Sequence, residues 1–221
     1  MASRSEQLVC KITGAQLRFG LLETYPWLRN ISIMLIKRFL DVVVSSSALV
    51  VACIPMLMIA LAVRITSPGP ALYWSKRVGR DNKLFQMPKF RTMRAGTPAV
   101  ATHLLDDPNR HLTPIGGFLR KTSLDELPQL WCILRGDMSL VGPRPALFNQ
   151  EDLIARRTEV GVHLLTPGLT GWAQVNGRDE LAIPLKVAFD AEYQQKQSFW
   201  FDLRILWLTA IRVLAARGVS H

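Results

Sequence analysis

Residues 42–63, VVVSSSALVVACIPMLMIALAV, decide the fold because they form an uncharged stretch of 22 residues. An α-helix rises about 1.5 Å per residue, so a helix of this length reaches roughly 33 Å, enough to cross the hydrocarbon core of a bilayer. The stretch lies too far from the N-terminus for an ordinary signal peptide. We therefore expect a membrane helix; the alternative is the core helix of a bundle, although uncharged core helices of this length are rare.

Basic residues flank this stretch on both sides. The stretch is preceded by Lys37 and Arg38 and followed by Arg64, Lys76, Arg77 and Arg80. A helix that spans a membrane, in contrast, carries its positive charge mainly on the cytoplasmic side. Pro55 lies near the middle, where a proline removes a backbone hydrogen bond and breaks or kinks a helix. A helix that bends at Pro55 and leaves by the face it entered places both flanks in the cytoplasm. We therefore expect a re-entrant helix, with a simple crossing as the alternative.

The composition narrows the class of protein. The 221-residue chain has a formal net charge of +10 and is 49% hydrophobic but only 20% charged, which excludes an intrinsically disordered chain. Its three cysteines are far apart and form no CxxC pair, which excludes a disulfide scaffold, argues against a zinc site and fits a reducing, cytoplasmic environment. An apolar and strongly basic chain is typical of proteins that bind nucleic acid, anionic membrane surfaces or phosphate-bearing substrates.

The chain after the membrane stretch is predicted to combine short strands with helices. Residues 64–94 hold eight basic residues and one acidic residue, which is either a solvated face or, beside a membrane segment, a contact with anionic lipids. Strands are predicted at residues 71–74 and 84–87, and helices at 184–197 and 199–216. The last helix has a basic face and a tryptophan-rich apolar face, which suits the membrane interface or packing on its own domain.

Residues 122–128, TSLDELP, place two carboxylates side by side at a predicted helix start. One interpretation is local, because Ser123 and Glu126 match a capping box and Asp125 suits the positive N-terminus of a helix. The other interpretation is functional. Asp125 and Glu126, with Arg120 nearby in the sequence, would hold a divalent cation, and one carboxylate would attack a phosphorus centre.

Three further segments contain candidate phosphate-binding residues. In residues 137–145, DMSLVGPRP, Arg144 stands between two prolines that stiffen the main chain, which favours a pre-ordered phosphate clamp or a rigid surface loop. Residues 88–94, PKFRTMR, carry basic side chains that would face a diphosphate. In residues 166–178, TPGLTGWAQVNGR, the glycines would let the main chain approach a ligand beside Arg178, or would form a plain hairpin.

Together and in this order, these segments resemble the bacterial sugar transferase family, the monotopic phosphoglycosyl transferases that start glycan assembly on a polyprenyl phosphate. The resemblance runs from about residue 37 to the C-terminus. It rests on six strings: KRFLD (37–41), SPGP (67–70), KFRTM (89–93), SLDELPQLW (123–131), GDMSLVGPRP (136–145) and PGLTGWAQVNGR (167–178).

The resemblance implies an α+β, predominantly helical, monotopic membrane protein. Residues 35–64 would form one re-entrant N-terminal helix, and residues 65–221 a small mixed catalytic domain with C-terminal interfacial amphipathic helices. Residues 1–34 form an extension without a counterpart in the minimal family members. Ile54 stands where the family often has a serine before the helix-breaking proline, so Pro55 is expected to determine the bend. The implied location is the bacterial inner (cytoplasmic) membrane, with the catalytic domain on its cytoplasmic face.

The resemblance also implies an activity: transfer of a sugar-1-phosphate from a UDP-sugar to undecaprenyl phosphate, with Mg²⁺ as cofactor and UMP as product. This step initiates the synthesis of a surface polysaccharide or glycoconjugate. By motif, Asp125 is the nucleophile that forms an aspartyl-phosphosugar intermediate, Glu126 is its acidic partner, and the pair engages Mg²⁺. The positions that match the family's basic substrate-binding residues are Lys89, Arg120, Arg144 and Arg178.

Two other functions stay open at this point. A membrane-tethered module that binds anionic lipids or nucleic acid without catalysis would explain the net charge. Basic and aromatic residues rarely alternate outside residues 64–94, however, so we expect no nucleic-acid partner. A glycosyltransferase that releases UDP would carry a D-x-D metal motif, and none precedes the carboxylate pair. The identity of the sugar, the glycan pathway and the oligomeric state, including a homodimer, are left open.

Overall fold

The computed structural model describes residues 26–98, 100, 106–177 and 181–214, and at residues 26–33, 108 and 214 it describes the backbone alone. The chain divides between Leu40 and Asp41 into two compact units. The packing and the candidate site described below lie in the second unit.

Helices and short strands follow one another along the chain. The helices are α1 (Pro26–Thr66), α2 (Gly116–Thr122), α3 (Leu130–Arg135), α4 (Glu151–Glu159), α5 (Trp172–Asn176), α6 (Ile183–Lys196) and α7 (Phe199–Leu214). The strands are β1 (Leu72–Val78), β2 (Leu84–Phe90), β3 (Ser139–Val141) and β4 (Gly168–Thr170), and 3-10 helices lie at Arg80–Asn82, Pro108–His111, Leu124–Gln129 and Val162–Leu164. The expectation of an α+β, predominantly helical fold is confirmed, and so are the predicted strands and the two C-terminal helices over their described residues.

The second part of α1 packs one side against the domain. Asp41, Ser45 and Val63 are buried, and Leu49 and Met56 pack against hydrophobic clusters of the domain. The Asp41 carboxylate accepts a hydrogen bond of 2.9 Å from the main-chain N–H of Leu140 in β3. The helix is therefore fixed to the small sheet by a buried polar contact as well as by apolar packing.

The other side of α1 is apolar and exposed. Val50, Val51, Ile54 and Leu57 are each at least 70% exposed, and α1 continues through Pro55. Within the described residues, Met34–Thr66 is the segment that is long and apolar enough to cross a membrane by length and composition. The re-entrant course expected at Pro55 concerns membrane topology and stays a prediction.

The antiparallel hairpin of β1 and β2 brings Lys89 towards the interior of the domain. Leu72 pairs with Phe90 at one end and Val78 with Leu84 at the other. Side chains alternate between the two faces of a strand, so Arg77 lies on the same face of the hairpin as Lys89. The opposite face buries Phe90 in the cluster that also contains Val63 of α1.

The parallel pair of β3 and β4 joins two of the motif segments. The N–H of Gly142 donates to the carbonyl of Thr170 (2.8 Å), and the N–H of Gly168 donates to the carbonyl of Pro143 (2.9 Å). A Cβ at Gly142, Gly168 or Gly171 would overlap main-chain atoms of the facing segment. These glycines let two segments of main chain approach each other rather than a ligand, and the segment is a parallel strand pair rather than a hairpin.

Helix α7 packs one face on the domain and leaves an apolar face exposed. Ile205 is fully buried, and the hydroxyls of Thr209 and Thr170 form a hydrogen bond of 2.7 Å. On the other face, Trp200 is 74% and Trp207 67% exposed. Both interpretations of this helix therefore have a structural basis, each on a different face.

Candidate active site

The two carboxylates of residues 122–128 lie in the 3-10 helix Leu124–Gln129, directly after a sharp change of chain direction. Ser123 ends α2 in the left-handed conformation (φ 58°, ψ 17°), and its side chain makes no capping hydrogen bond. The carboxylate of Glu126 instead accepts a hydrogen bond of 2.6 Å from Nη2 of Arg144. The capping-box interpretation is therefore wrong, because the side chain of Glu126 is engaged 18 residues away along the chain and not at its own helix start.

Asp125 is the more deeply buried of the two acids. Asp125 is 7% exposed. Burial and, next in size, the negative charge of Glu126 raise the pKa of Asp125 to about 6. The charges of Lys89, Arg120 and Arg144 act in the opposite direction. Asp125 is therefore ionised at neutral pH but weakly solvated, which is the condition of a reactive carboxylate.

Glu126 responds in the opposite way to the same surroundings. Burial acts to raise its pKa, but the charge and the hydrogen bond of Arg144, with smaller contributions from Lys89 and Arg77, outweigh burial and hold the pKa of Glu126 below its ordinary value. The site thus contains two adjacent carboxylates whose pKa values are driven apart, a pattern typical of catalytic sites in which two acids have different roles.

Lys89 reaches the site from β2. Burial, and next the charge of Arg77, lower the pKa of Lys89 to about 8, while the charges of Asp125 and Glu126 act to raise it. The ring of Tyr73, the cross-strand partner of Lys89, lies 5.6 Å from its ammonium group. Lys89 is therefore a partly desolvated cation next to both carboxylates.

Arg120 is the buried cation of the site. It lies in the last turn of α2, and its Nε donates a hydrogen bond of 3.0 Å to Oγ1 of Thr92. The neighbouring basic residues of segment 88–94 have other tasks: Arg91 donates to the carbonyls of Ser67 (2.7 Å) and Pro68, just after α1. Of the residues expected to face a diphosphate, the structure thus places Lys89 beside the carboxylates and Arg91 in a structural contact.

Arg144 projects from a loop that is held by its carbonyl groups. Prolines lack an N–H donor, so this segment cannot be fixed through the main-chain donors of residues 143 and 145. Four successive carbonyls each accept a hydrogen bond, and the donors come from three other parts of the chain: Pro143 accepts from Gly168 N (2.9 Å), Arg144 from Arg157 Nη1 (2.8 Å), and Pro145 and Ala146 from two consecutive residues of β1, Arg77 Nη1 (3.1 Å) and Val78 N (2.9 Å). The prediction of a pre-ordered guanidinium is supported by this network, and that guanidinium contacts Glu126.

Arg77 is a site residue that sequence reasoning missed. Its charge lowers the pKa of both Lys89 and Glu126, and its guanidinium donates to Oγ of Ser75 and to the carbonyl of Pro145. In the sequence, Arg77 is one of several basic residues that follow the membrane stretch. The strand alternation that places Arg77 and Lys89 on one face of the hairpin was the signal that would have found it.

The structure therefore gathers Asp125, Glu126, Lys89, Arg120 and Arg144 around one point, whereas Arg178 lies outside the described residues. Four cations, with Arg77 as the fourth, surround two carboxylates. This excess of positive charge suits an anionic ligand that carries phosphate groups.

The two carboxylates are also suitable donors for a metal ion. Mg²⁺ prefers oxygen ligands and is usually bound by one or two carboxylates together with substrate phosphates and water. Over the described ranges, no group of three or more His, Cys, Asp or Glu residues forms a fuller metal site. Asp125 and Glu126 match the smaller donor set that Mg²⁺ uses beside phosphates.

Comparisons with known proteins identify the family of the chain. The family model for bacterial sugar transferases matches residues 32–216. The chain is similar to the UDP-glucose:undecaprenyl-phosphate glucose-1-phosphate transferase of Escherichia coli K12, with 39% identity over 187 residues, which cover 80% of this chain and 40% of that protein. It is also similar to the undecaprenyl-phosphate galactose phosphotransferase of Salmonella typhimurium, with 40% identity over 200 residues, which cover 83% of this chain and 41% of that protein.

A shorter relative matches over nearly its whole length. The uncharacterized sugar transferase EpsL of Bacillus subtilis is 38% identical over 188 residues, which cover 85% of this chain and 92% of that protein. The chain thus spans about two fifths of the length of the two named transferases and most of the length of the shorter one. On the family match and these identities, the chain belongs to the bacterial sugar transferase family.

Proposed function

We propose that this protein transfers a sugar-1-phosphate from a UDP-sugar to undecaprenyl phosphate and releases UMP. The observation that carries the proposal is the pair Asp125–Glu126, whose pKa values are driven apart among cations that suit a diphosphate. The names of the E. coli and Salmonella relatives describe undecaprenyl-phosphate sugar phosphotransferases, which supports the same chemistry here. The reaction would begin the synthesis of a bacterial surface polysaccharide or glycoconjugate.

In the first step, a carboxylate oxygen of Asp125 attacks the β-phosphorus of the UDP-sugar. The bond between this phosphorus and the oxygen that bridges to the α-phosphate breaks, and UMP leaves with the electron pair. The product on the protein is an aspartyl-phosphosugar. Arg144, Arg120 and Lys89 reduce the repulsion between the attacking carboxylate and the diphosphate and stabilise the charge on the departing UMP.

In the second step, a phosphate oxygen of undecaprenyl phosphate attacks the same phosphorus. The bond to Asp125 breaks, which restores the carboxylate and leaves the sugar on undecaprenyl diphosphate. Division into two steps lets a water-soluble donor and a lipid acceptor use one site in turn. The contact with Arg144 keeps Glu126 ionised, and Glu126 in turn holds that arginine in place during both steps.

Asp125 and Glu126 would hold Mg²⁺ with the phosphates of the donor. When bound, the ion would neutralise part of the charge on those phosphates. Arg178, which matches a basic family position by motif, is proposed as a further substrate-binding cation.

The apolar outer sides of α1 and α7 support a membrane location for this activity. Exposed tryptophans on a helix such as α7 are typical of the membrane interface, where one end of the ring is apolar and the other meets water. We propose that α1 bends at Pro55, so that it enters and leaves the bacterial inner membrane by the cytoplasmic face. The catalytic domain would lie on that face, and basic residues of segment 64–94 would contact anionic lipids.

The test is the release of UMP from UDP-sugars in the presence of undecaprenyl phosphate and Mg²⁺, together with the intact mass of the protein incubated without the lipid. Wild type is expected to release UMP and to gain the mass of one phosphosugar, and Asp125→Asn to do neither, with a loss of turnover of several orders of magnitude because the nucleophile is removed. Release of UDP would indicate a glycosyltransferase instead, and release of neither nucleotide a binding module. An adduct on another residue would show that Asp125 is not the nucleophile.

A further inference from the structure

A buried ion pair lies behind the loop that carries Arg144. Arg157 of α4 is 8% exposed and Asp190 of α6 is 1% exposed. Nε and Nη2 of Arg157 both donate to Oδ2 of Asp190, at 3.0 and 2.6 Å. The third nitrogen, Nη1, donates to the main-chain carbonyl of Arg144 at 2.8 Å. One guanidinium therefore joins α6 to the loop of the candidate active site.

Stability alone does not account for this pair. Replacement of a buried ion pair by apolar residues of similar volume is often neutral or stabilising, because two charges are costly to remove from water. Burial accordingly raises the pKa of Asp190, and the charge and hydrogen bonds of Arg157 offset part of that shift. Apolar residues, however, would leave the carbonyl of Arg144 without its donor.

The position of that carbonyl determines where the guanidinium of Arg144 can reach. Pro143 and Pro145 restrict the backbone on both sides of Arg144, so movement of its peptide group carries the side chain with it. Nη2 of Arg144 lies 2.6 Å from Oε1 of Glu126, and a shift of one ångström in the loop would break this hydrogen bond.

We infer that Arg157 and Asp190 are positioning residues: through the hydrogen bond from Arg157 to the Arg144 carbonyl, they fix the Arg144 guanidinium against Glu126 for the transfer reaction. The inference rests on the proposed function, because it assigns Arg144 to the reacting phosphates. Asp190 acts through its hydrogen-bond partner Arg157.

A double-mutant cycle tests this inference with the full-length protein in lipid nanodiscs and UMP release as the readout. Arg157→Lys keeps a cation beside Asp190 but loses the planar fork that reaches two partners at once. We expect kcat/KM to fall by about 10- to 100-fold, since misplacement of a reacting group by an ångström costs up to about 100-fold. In an Arg144→Ala background, the same substitution should cost less than about 3-fold, because the residue it positions is gone.

A neighbouring ion pair provides the matched control. Arg156 lies next to Arg157 on α4, and its Nε donates to Asp152 at 2.7 Å on the exposed surface, so Arg156→Lys should change kcat/KM by less than about 2-fold. If Arg157→Lys does not fold, as judged by thermal unfolding, Asp190→Asn enters the same cycle, since it keeps the shape of the acid and leaves Arg157 in place.

An equal loss of kcat/KM in the wild-type and Arg144→Ala backgrounds would overturn the inference, because it would show a general structural role. Normal turnover of both Arg157→Lys and Asp190→Asn would also overturn it and would leave the proposed function intact. Absence of UMP release from wild type in the same assay would contradict the proposed function instead.

Discussion

Asp125 and Asp190 are both buried aspartates whose pKa burial raises, but they lie in regions built in opposite ways. The pKa of Asp125 is raised further by the adjacent Glu126, and its cations act on it through their charges alone. Asp190 is instead hydrogen-bonded by a cation, Arg157, whose charge also acts to lower its pKa, with a smaller contribution from the charge of Lys186. In the region of Asp125 the cations act by charge and leave the pKa raised, whereas in the region of Asp190 the cation Arg157 also makes hydrogen bonds to the acid and fixes a loop. The difference suits the roles proposed for the two acids, Asp125 as the nucleophile and Asp190 as part of a structural contact.

The largest expected effect on stability comes from removal of the Arg157–Asp190 ion pair. Asp190→Ala leaves the guanidinium of Arg157 buried without its carboxylate, and removal of one member of a buried pair costs about 3–5 kcal/mol in the free energy of unfolding. Chemical unfolding in detergent measures this loss. The exposed acid Asp152, substituted in the same way, should cost less than about 1 kcal/mol, and equal losses for both acids would show that Asp190 is not specially compensated.

Substitution of Asp125 should change stability in the opposite direction. The pKa of Asp125 rises from about 3.8 in the unfolded chain to about 6 in the folded one, so the folded state binds more protons between these values and stability falls as pH rises from about 4 to above 6. Asp125→Asn does not titrate and should therefore stabilise the metal-free protein at pH 8 by an amount on the order of 3 kcal/mol. Unfolding in EDTA at pH 4 and pH 8 measures the difference. A gain of the same size at both pH values would contradict it.

Arg144 connects the two regions, and its substitution sharpens the comparison. Arg144→Lys keeps the charge but loses the planar fork, so we expect kcat/KM for UMP release to fall by an amount that corresponds to about 1.5–3 kcal/mol, the range for a hydrogen bond to a charged group. Arg135→Lys is a suitable control, because the Arg135 ion pair with Asp137 lies nearer the surface. A wild-type value for Arg144→Lys would make Arg144 a loop residue without contact to substrate.

The smallest expected effect concerns Lys89, a cation beside Asp125 and Glu126. Tyr73→Leu removes the ring beside its ammonium group, a contact worth about 0.5–1 kcal/mol at a partly exposed site. This corresponds to a decrease in kcat/KM of about 2- to 5-fold. Tyr73→Phe keeps the ring and should retain the wild-type value, so an equal decrease for both variants would assign the effect to the hydroxyl group instead.

Local sequence patterns predicted the parts of the site that depend on local chemistry. The two prolines around Arg144 restrict the main chain wherever the loop lies, so the stiff arginine was predictable. The capping-box interpretation was wrong because Ser123 adopts a left-handed conformation and the carboxylate of Glu126 accepts a hydrogen bond from Arg144 in another segment. Both outcomes depend on tertiary contacts that no local pattern encodes.

The ion pair of Arg157 and Asp190 could not be predicted from the sequence for a related reason. Arg157 follows Arg156 on an amphipathic helix, and adjacent arginines on such a helix are ordinarily solvent-exposed. Asp190 lies 33 residues further along the chain, so their pairing follows from how α4 packs on α6 and not from spacing. The strand order was equally out of reach, because β3 and β4 are three residues each and too short for periodicity to distinguish them from loops.

The fixed main chain of residues 143–146 affects the affinity expected for the UDP-sugar of the proposed reaction. Ordering the backbone of one residue costs roughly 1–2 kcal/mol of conformational entropy. If this loop were ordered by its ligand, that loss over four residues would be subtracted from the binding free energy and would weaken affinity by several orders of magnitude. Because prolines and carbonyl hydrogen bonds order the loop during folding, the UDP-sugar of the proposed reaction would meet Arg144 already in place, and its binding would not carry this entropic cost.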